Sequence, residues 1–329
     1  MPIRVVCYGL GPIGLGIARL AQARKGLEIV GAIDIDPEKQ GRDLGELLNS
    51  AALGVKVHSN AMAVLEQTRP DVVLHATSSA LERVLPQFQT LVKAGVDVVS
   101  TCEELSFPWA QQPLVDELHA LAQQHNATLL GTGINPGYAM DALPLMLTAP
   151  CAFVRSVKVL RVVDAARRRG PLQRKVGAGL SAAAFATRVA DGSVRHVGLP
   201  ESLQMLASGL GWSLDETDDL IEPVLAAQQI TTDIMQVEAG QVAGVRQVAR
   251  GLRNGEEVLR LELRMYVGAH DPRDNVMIDG DPPVQMTIAG GLHGDIATAA
   301  MMINVLPSVR AAAPGVVTMS DIALPRYWE

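Results

Sequence analysis

Along the first part of the chain, apolar residues come in short unbroken runs separated by turn residues and by stretches with helical spacing. "IRVVCY" (3–8) is followed by "GLGPIG" and then by the helix-like "IARLAQARKG", which ends at Gly26. The same alternation predicts strands at "LEIVGAIDID", "VKVHS", "DVVLHAT", "VDVVST" and "ATLLGTG", with helices at "AMAVLEQT", "LERVLPQFQTLVKAG" and "PLVDELHALAQQH". Strands that are apolar on both faces and alternate with helices predict a parallel sheet covered on both sides. After "GINPGYAMDALPLML" the texture changes, and "RSVKVLRVVDA" and "EEVLRLELRMYVG" alternate instead. In the second of these, Leu259, Leu261, Leu263, Met265 and Val267 share one face, while Arg260, Glu262 and Arg264 share the other. A sheet with one wet side follows, as in antiparallel sheets. "SAAAFATRVADG" and "ESLQMLASGLG" read as helices within this part, and "HGDIATAAMMINVLPSV" as one closing helix that packs back onto the first domain.

Gly9, Gly11 and Gly14 form a G-x-G-x-x-G that follows the first strand and opens a helix, and Asp34 ends the second strand about 20 residues later. That context predicts a dinucleotide site: Gly9 permits the tight turn, Gly11 lets backbone approach the pyrophosphate, and Gly14 lets helix and strand pack. Pro12 and Ile13 complete the loop, with the helix N-terminus facing the phosphates. Asp34 would accept the ribose hydroxyls and repel a 2′-phosphate, which favours NAD. Lys39 and Arg42 just beyond could pair with that phosphate, so NADP stays open.

In an open parallel sheet the carboxyl ends of the strands line the ligand crevice. His75, Ala76, Thr77 and Ser78 end the fourth strand, with His75 read as a wall of the cofactor site rather than as a catalytic acid. Thr101, Cys102, Glu103 and Glu104 end the fifth. A role for the two glutamates as first-turn charges of the next helix fits poorly, because Ser-Phe-Pro intervenes. A carboxylate beside the nicotinamide, walled by aliphatics, would exchange protons near neutrality. Adjacent residues do not easily both point inward, and Glu104 is favoured over Glu103 as the catalytic one. Asn135, before Pro136 at the end of the sixth strand, could dock the carboxamide of the cofactor or the substrate. Arg161 shares its strand face with Val157, Val159 and Val163, so it either pairs with a protein carboxylate or awaits a carboxylate on the substrate. His196 and His293 lie in Gly-rich loops.

Composition narrows the classes. The chain has 329 residues, which suggests two domains, and its net charge of −7 carries no footprint for nucleic acid or an anionic membrane. Three well-separated cysteines show no metal-ligand spacing and point to a reducing, cytoplasmic setting. No HExxH, G-x-S-x-G or P-loop lysine is present, which removes the hydrolase and kinase readings.

The segments "GLGPIG", "AIDIDPEKQGRDLGEL", "VVLHATSS", "STCEELSFP", "GTGINPGYAMD", "RVVDAARRRGPLQRKVGAGL", "HVGLPES" and "GGLHGDIATAAMMINVLPSV" together make the chain resemble the 2,4-diaminopentanoate dehydrogenases and the related native amine dehydrogenases, of dihydrodipicolinate-reductase-like fold. The His-His-x-x-Lys and Lys-x-Asp-Ala-Pro-Ser-Gly elements of dihydrodipicolinate reductase itself are absent. The resemblance implies reversible oxidative deamination of an amine with NAD or NADP, run backwards as reductive amination of a ketone with ammonia. It implies that a glutamate of "CEEL", matching Glu104, handles the proton, and that Arg161 and His196 fall in segments that hold the substrate. Val163 is apolar where some relatives look more polar, so a 2,4-diaminopentanoate-like substrate and a small aliphatic ketone both stay open.

The expected architecture is α/β. A Rossmann-type doubly wound parallel sheet spans 1–138, an α+β substrate and dimerisation domain with an open, mostly antiparallel sheet spans 139–292, and a closing helix and tail span 293–329. The expected assembly is a homodimer. Two rivals share the fold: a reductase of another small carbonyl or imine, and a non-catalytic NAD(P)-sensing protein.

Overall fold

In the computed structural model, which describes residues 1–168 and 170–329 and all their side chains except those of Trp109, Ala110 and Arg167, every unbroken apolar run of the first part joins one sheet. The chain divides into two compact units, Met1–Tyr138 with His293–Glu329, and Ala139–Leu292.

The first unit runs β1 (Ile3–Tyr8), α1 (Pro12–Ala23), β2 (Leu27–Ile33), α2 (Leu44–Leu47), β3 (Val57–His58), α3 (Ala61–Thr68), β4 (Val72–His75), α4 (Leu81–Lys93), β5 (Asp97–Ser100), α5 (Gln112–Gln124) and β6 (Thr128–Gly131). Single turns of 3-10 helix at Glu103–Leu105 and Pro108–Gln111 precede α5. The second unit contributes α6 (Ala142–Leu147), β7 (Phe153–Asp164), α7 (Gly170–Lys175), α8 (Ala182–Ala190), α9 (Leu199–Gly209), β8 (Glu216–Leu225), β9 (Ile230–Thr231), β10 (Gln236–Val237), β11 (Val242–Arg253), β12 (Glu256–Tyr266), β13 (Arg273–Asp281) and β14 (Val284–Ala289). The chain then returns to the first unit as α10 (Gly294–Asn304), α11 (Leu306–Ala311) and β15 (Gly315–Val317).

The first sheet has the order β15-β6-β5-β4-β1-β2-β3 with every pairing parallel. Strand order reverses between β1 and β4, which makes the carboxyl ends of these two strands the switch point where such sheets take ligands. Val5, Val6, Val72, Val73, Val98, Val99, Leu129 and Leu130 are buried, because helices cover both faces and leave no wet side to alternate toward. On one face Phe88, Leu91, Leu118 and Val115, from α4 and α5, close the core, and α10 packs along α1.

The single closing helix expected over "HGDIATAAMMINVLPSV" is two helices, α10 and α11, broken at Val305. Pro307 is the physical reason: it has no N–H to donate back into the preceding turn, and it sits instead in the first turn of α11, where that N–H has no helical partner.

In the second unit a six-stranded sheet has the order β14-β13-β7-β12-β11-β8, antiparallel except for β7 against β12. Leu259, Leu261, Leu263, Met265 and Val267 are all buried, and Leu263, Met265 and Val267 pack with Val245 and Phe185 of α8. On the opposite face Arg246 and Arg264 reach Glu262 at 2.8 and 2.7 Å. Partial burial raises the proton affinity of Glu262, but the hydrogen bonds from Arg246 and Arg264 outweigh it and bring its pKa down to about 2. Among the described residues no helix is long and apolar enough to cross a membrane.

Candidate functional site

The turn from β1 into α1 leaves no room for a side chain at two of its glycines. Gly9 takes φ of +89°, and a Cβ there would stand 2.4 Å from the Ala76 carbonyl oxygen and 2.9 Å from Thr77 Cγ2. A Cβ on Gly14 would stand 1.8 Å from the Gly9 carbonyl oxygen. Gly11 differs, since a Cβ there would meet no atom within 4 Å. The loop is therefore pressed against the end of β4 at Gly9, closed on itself at Gly14 and open at Gly11, the N-cap of α1, with Pro12 and Ile13 beginning the helix. A helix N-terminus with an open glycine in front of it fits a pyrophosphate.

Asp34 stands just beyond β2, 9% exposed, and its carboxylate already has work within the protein. Oδ2 accepts the Leu10 N–H of the Gly-rich loop at 2.7 Å, and Oδ1 accepts the Asp36 N–H at 2.9 Å. Lys39 Nζ lies 3.2 Å from both Asp34 Oδ2 and Asp36 Oδ2. Arg42 is turned to Glu46 at 3.6 Å. Asp34 thus ties the second strand to the phosphate loop, and Lys39 bridges Asp34 and Asp36. These residues fit a nicotinamide dinucleotide.

The ends of β4 and β5 are joined by backbone and side chain. Ala76 N–H donates to the Tyr8 carbonyl at 2.7 Å, Thr101 N–H to the His75 carbonyl at 3.0 Å, and Ser78 Oγ accepts the Ala80 N–H at 3.3 Å. Cys102 is buried, donates its thiol to the Ser79 carbonyl at 3.2 Å, and is pushed up to about 12 chiefly by burial. It is a wall rather than a nucleophile. His75 is wholly buried, and burial lowers its pKa to about 4. Its ring touches Ser100 Oγ at 2.9 Å through Nδ1 and Gln87 Oε1 at 2.7 Å through Nε2, with Thr77 Oγ1 3.0 Å from Nε2. Ser100 and Gln87 carry no signal in the sequence, because each reaches His75 from another element.

Glu103 and Glu104 form a 3-10 turn directly after β5, and both are half-buried. The Glu104 N–H donates to the Ser79 carbonyl at 3.2 Å, and Glu104 Oε2 accepts the Leu81 N–H at 2.7 Å and Gln111 Nε2 at 3.3 Å. Leu81 opens α4, whose N-cap, Ala80, has no capping side chain. Glu104 therefore is a helix-start charge after all, of α4 rather than of the helix that follows it. The sequence hides this because that helix lies upstream and meets Glu104 only once β4 and β5 pair. At the end of β6, Asn135 is 9% exposed with a cis bond to Pro136, and the preceding Ile134 N–H donates to Thr298 Oγ1 of α10 at 3.3 Å.

Arg161 and His196 belong to the second unit. Of the two alternatives for Arg161, the structure shows the protein carboxylate. Nη1 is 2.6 Å from Asp274 Oδ1, with side chains 2% and 1% exposed, and Nη2 donates to the Leu292 carbonyl at 2.7 Å. Its charge is compensated within the sheet, by a residue of β13. His196 is half-buried, and its backbone is paired with the side chain of Gln247, His196 N–H to Oε1 at 2.8 Å and Nε2 to the His196 carbonyl at 3.2 Å.

Residues 138–329 match the family model for the 2,4-diaminopentanoate dehydrogenase C-terminal domain, and residues 3–103 match that for the dihydrodipicolinate reductase N-terminus. The chain is 31% identical to a 2,4-diaminopentanoate dehydrogenase of Acetoanaerobium sticklandii, over 98% of this chain and 94% of that one. It is 25% identical to an amine dehydrogenase of Streptomyces virginiae, over 98% and 96%. The solved structure of an amine dehydrogenase from Mycobacterium smegmatis superposes with a TM-score of 0.88 at 28% identity, over 100% of this chain and 98% of that one. A dihydrodipicolinate reductase from Paenisporosarcina, at 15% identity and a TM-score of 0.53, shares the fold. An open dinucleotide loop, a carboxylate at the end of β5 and these matches across both units converge, and the chain belongs to the 2,4-diaminopentanoate dehydrogenase family of oxidoreductases.

Proposed function

We propose that this protein is a cytoplasmic, homodimeric NAD(P)-dependent amine dehydrogenase that interconverts a small amine with its ketone and ammonia. In the oxidative direction the amine carbon would give up its hydride, and water would convert the resulting iminium to ketone and ammonium. Accepting that hydride is the chemistry the cofactor supplies when bound. The chain's part is to orient, exclude water and move a proton. Gly9, Gly11, Pro12, Ile13 and Gly14 hold the pyrophosphate, Asp34 and Lys39 the adenosine ribose, and Ala76, Thr77, Ser78, Thr101 and Cys102 line the nicotinamide ribose. Asn135 holds the carboxamide or the substrate. Glu104 takes the proton from the substrate ammonium and releases it to solvent, then takes a proton from the attacking water and returns it to the departing nitrogen, with Glu103 in support and His196 on the substrate side.

The observation that carries this reading is Glu104, a half-buried carboxylate anchored by one oxygen at the carboxyl edge of the parallel sheet. The test is spectrophotometric. With NAD or NADP and a panel of amines, reduced cofactor should accumulate, and ketones should consume it only when ammonium is present. Glu104→Gln keeps an oxygen acceptor for the Leu81 N–H but not the base, so turnover should vanish while cofactor affinity stays. Turnover independent of ammonium would make the protein a carbonyl reductase, and tight cofactor binding without turnover would make it a sensor.

A further inference from the structure

We infer that His75 is a positioning residue for Glu104, acting through Ser100 on one side and Gln87 on the other; the inference rests on the catalytic role proposed for Glu104. Hydrogen-bond polarity gives the argument its direction. Gln87 Oε1 can only accept, so Nε2 at 2.7 Å donates to it, and Nδ1 is left to accept the proton of Ser100 Oγ at 2.9 Å, whose oxygen in turn accepts the Cys102 N–H at 3.0 Å. Gln87 Oε1 also receives the Thr77 hydroxyl at 2.8 Å, which leaves Thr77 Oγ1 a lone pair toward Nε2–H.

These contacts close into a ring. From His75 it runs through Ser100 to the Cys102 amide, along the 3-10 turn to Glu104, across to the Leu81 N–H, and down α4 to Gln87, which returns it to His75. Both ends of the turn bearing the carboxylate are thus fixed, the backbone entering it by Ser100 and the side chain by α4. A neutral imidazole suits the place because it donates at one end and accepts at the other. Its ring is held between Tyr8, at 5.3 Å between ring centroids, and Phe88, at 4.8 Å.

The test uses Ser100→Ala, Gln87→Met and His75→Phe in the full chain, with Ser100→Thr as the conservative partner. Ser100→Ala should lower kcat about 10- to 100-fold, the effect of a small misplacement of a reacting group, with KM for amine and Kd for reduced cofactor unchanged. Ser100→Thr should restore kcat. Hydrogen exchange should show the Cys102 amide protected in the wild type and exposed in Ser100→Ala, and imidazole 15N shifts should report a neutral ring protonated at Nε2. Should His75→Phe not fold, Gln87→Met tests the same ring from the side of α4. Wild-type kcat in Ser100→Ala, or a ring protonated at Nδ1, would overturn the inference. If the wild type turns over no amine, the proposed function fails, and exchange and imidazole shifts still decide the ring.

Discussion

Arg161 and Asp274 neutralise each other at 2.6 Å and then grip one residue between them, the Leu292 carbonyl taking Arg161 Nη2 at 2.7 Å and the Leu292 N–H going to Asp274 Oδ2 at 2.8 Å. Leu292 is the last residue of the second unit. Burial lowers the pKa of Arg161 from its ordinary value, and Asp274 opposes that shift through its charge and its hydrogen bond. Arg161→Leu leaves the buried Asp274 without its counter-charge, so it should cost about 3–5 kcal/mol in urea unfolding. Arg161→Met combined with Asp274→Leu should recover most of that loss, as apolar replacements of buried pairs commonly do. A selective rise in KM for keto acids over neutral ketones, in a stably folded Arg161→Leu, would return this arginine to the substrate.

Stability should fall on acidification because of His75. Its ordinary pKa is 6.5 and burial lowers the folded value to about 4, so between those values the unfolded chain binds the extra proton. Stability therefore rises with pH across the window, is complete above 6.5, and loses about 3 kcal/mol as pH falls to 4. Urea titrations at a series of pH values measure the slope, and His75→Phe should flatten that part of it. An unchanged slope in His75→Phe would mean that the ring is charged in the fold.

The two glycines that flank the start of α1 should separate folding from binding. Gly14→Ala puts a methyl where the Gly9 carbonyl stands and should lower Tm. Gly11→Ala meets no protein atom within 4 Å, so Tm should hold while Kd for the dinucleotide rises at least about tenfold, as crowding of the phosphates requires. Titration by fluorescence of the reduced cofactor checks it, and wild-type affinity in Gly11→Ala would place the pyrophosphate elsewhere.

Lys39 should set coenzyme choice. Its ammonium lies 3.2 Å from both Asp34 and Asp36, and without it two carboxylates would face a 2′-phosphate alone. Lys39→Ala should raise KM for NADP about tenfold or more, in line with a charge-assisted hydrogen bond of about 1.5–3 kcal/mol, and leave KM for NAD near the wild-type value. Equal changes for both coenzymes would show that Lys39 does not read the phosphate.

What the sequence determined is what local periodicity encodes. Unbroken runs such as Val72–Leu74 have no wet face, so they announce a sheet covered twice, and the one-sided Leu259–Val267 announces a sheet covered once. The Gly-rich loop and Asp34 were legible because that motif fits within a single strand-turn-helix unit and the strand after it. Tertiary structure decided everything that depends on pairing between distant segments. β8, with its charged "ETDDLIEPVL", is a strand only because β11 lies beside it, and nothing in its own pattern says so. Arg161 meets Asp274, 113 positions away, through the pairing of β7 with β13. Glu104 finds Leu81, 23 positions back, through the pairing of β4 with β5. The residue types of a buried polar group can be read from a sequence, but its partner is chosen by strand order, which is settled only when the sheet assembles.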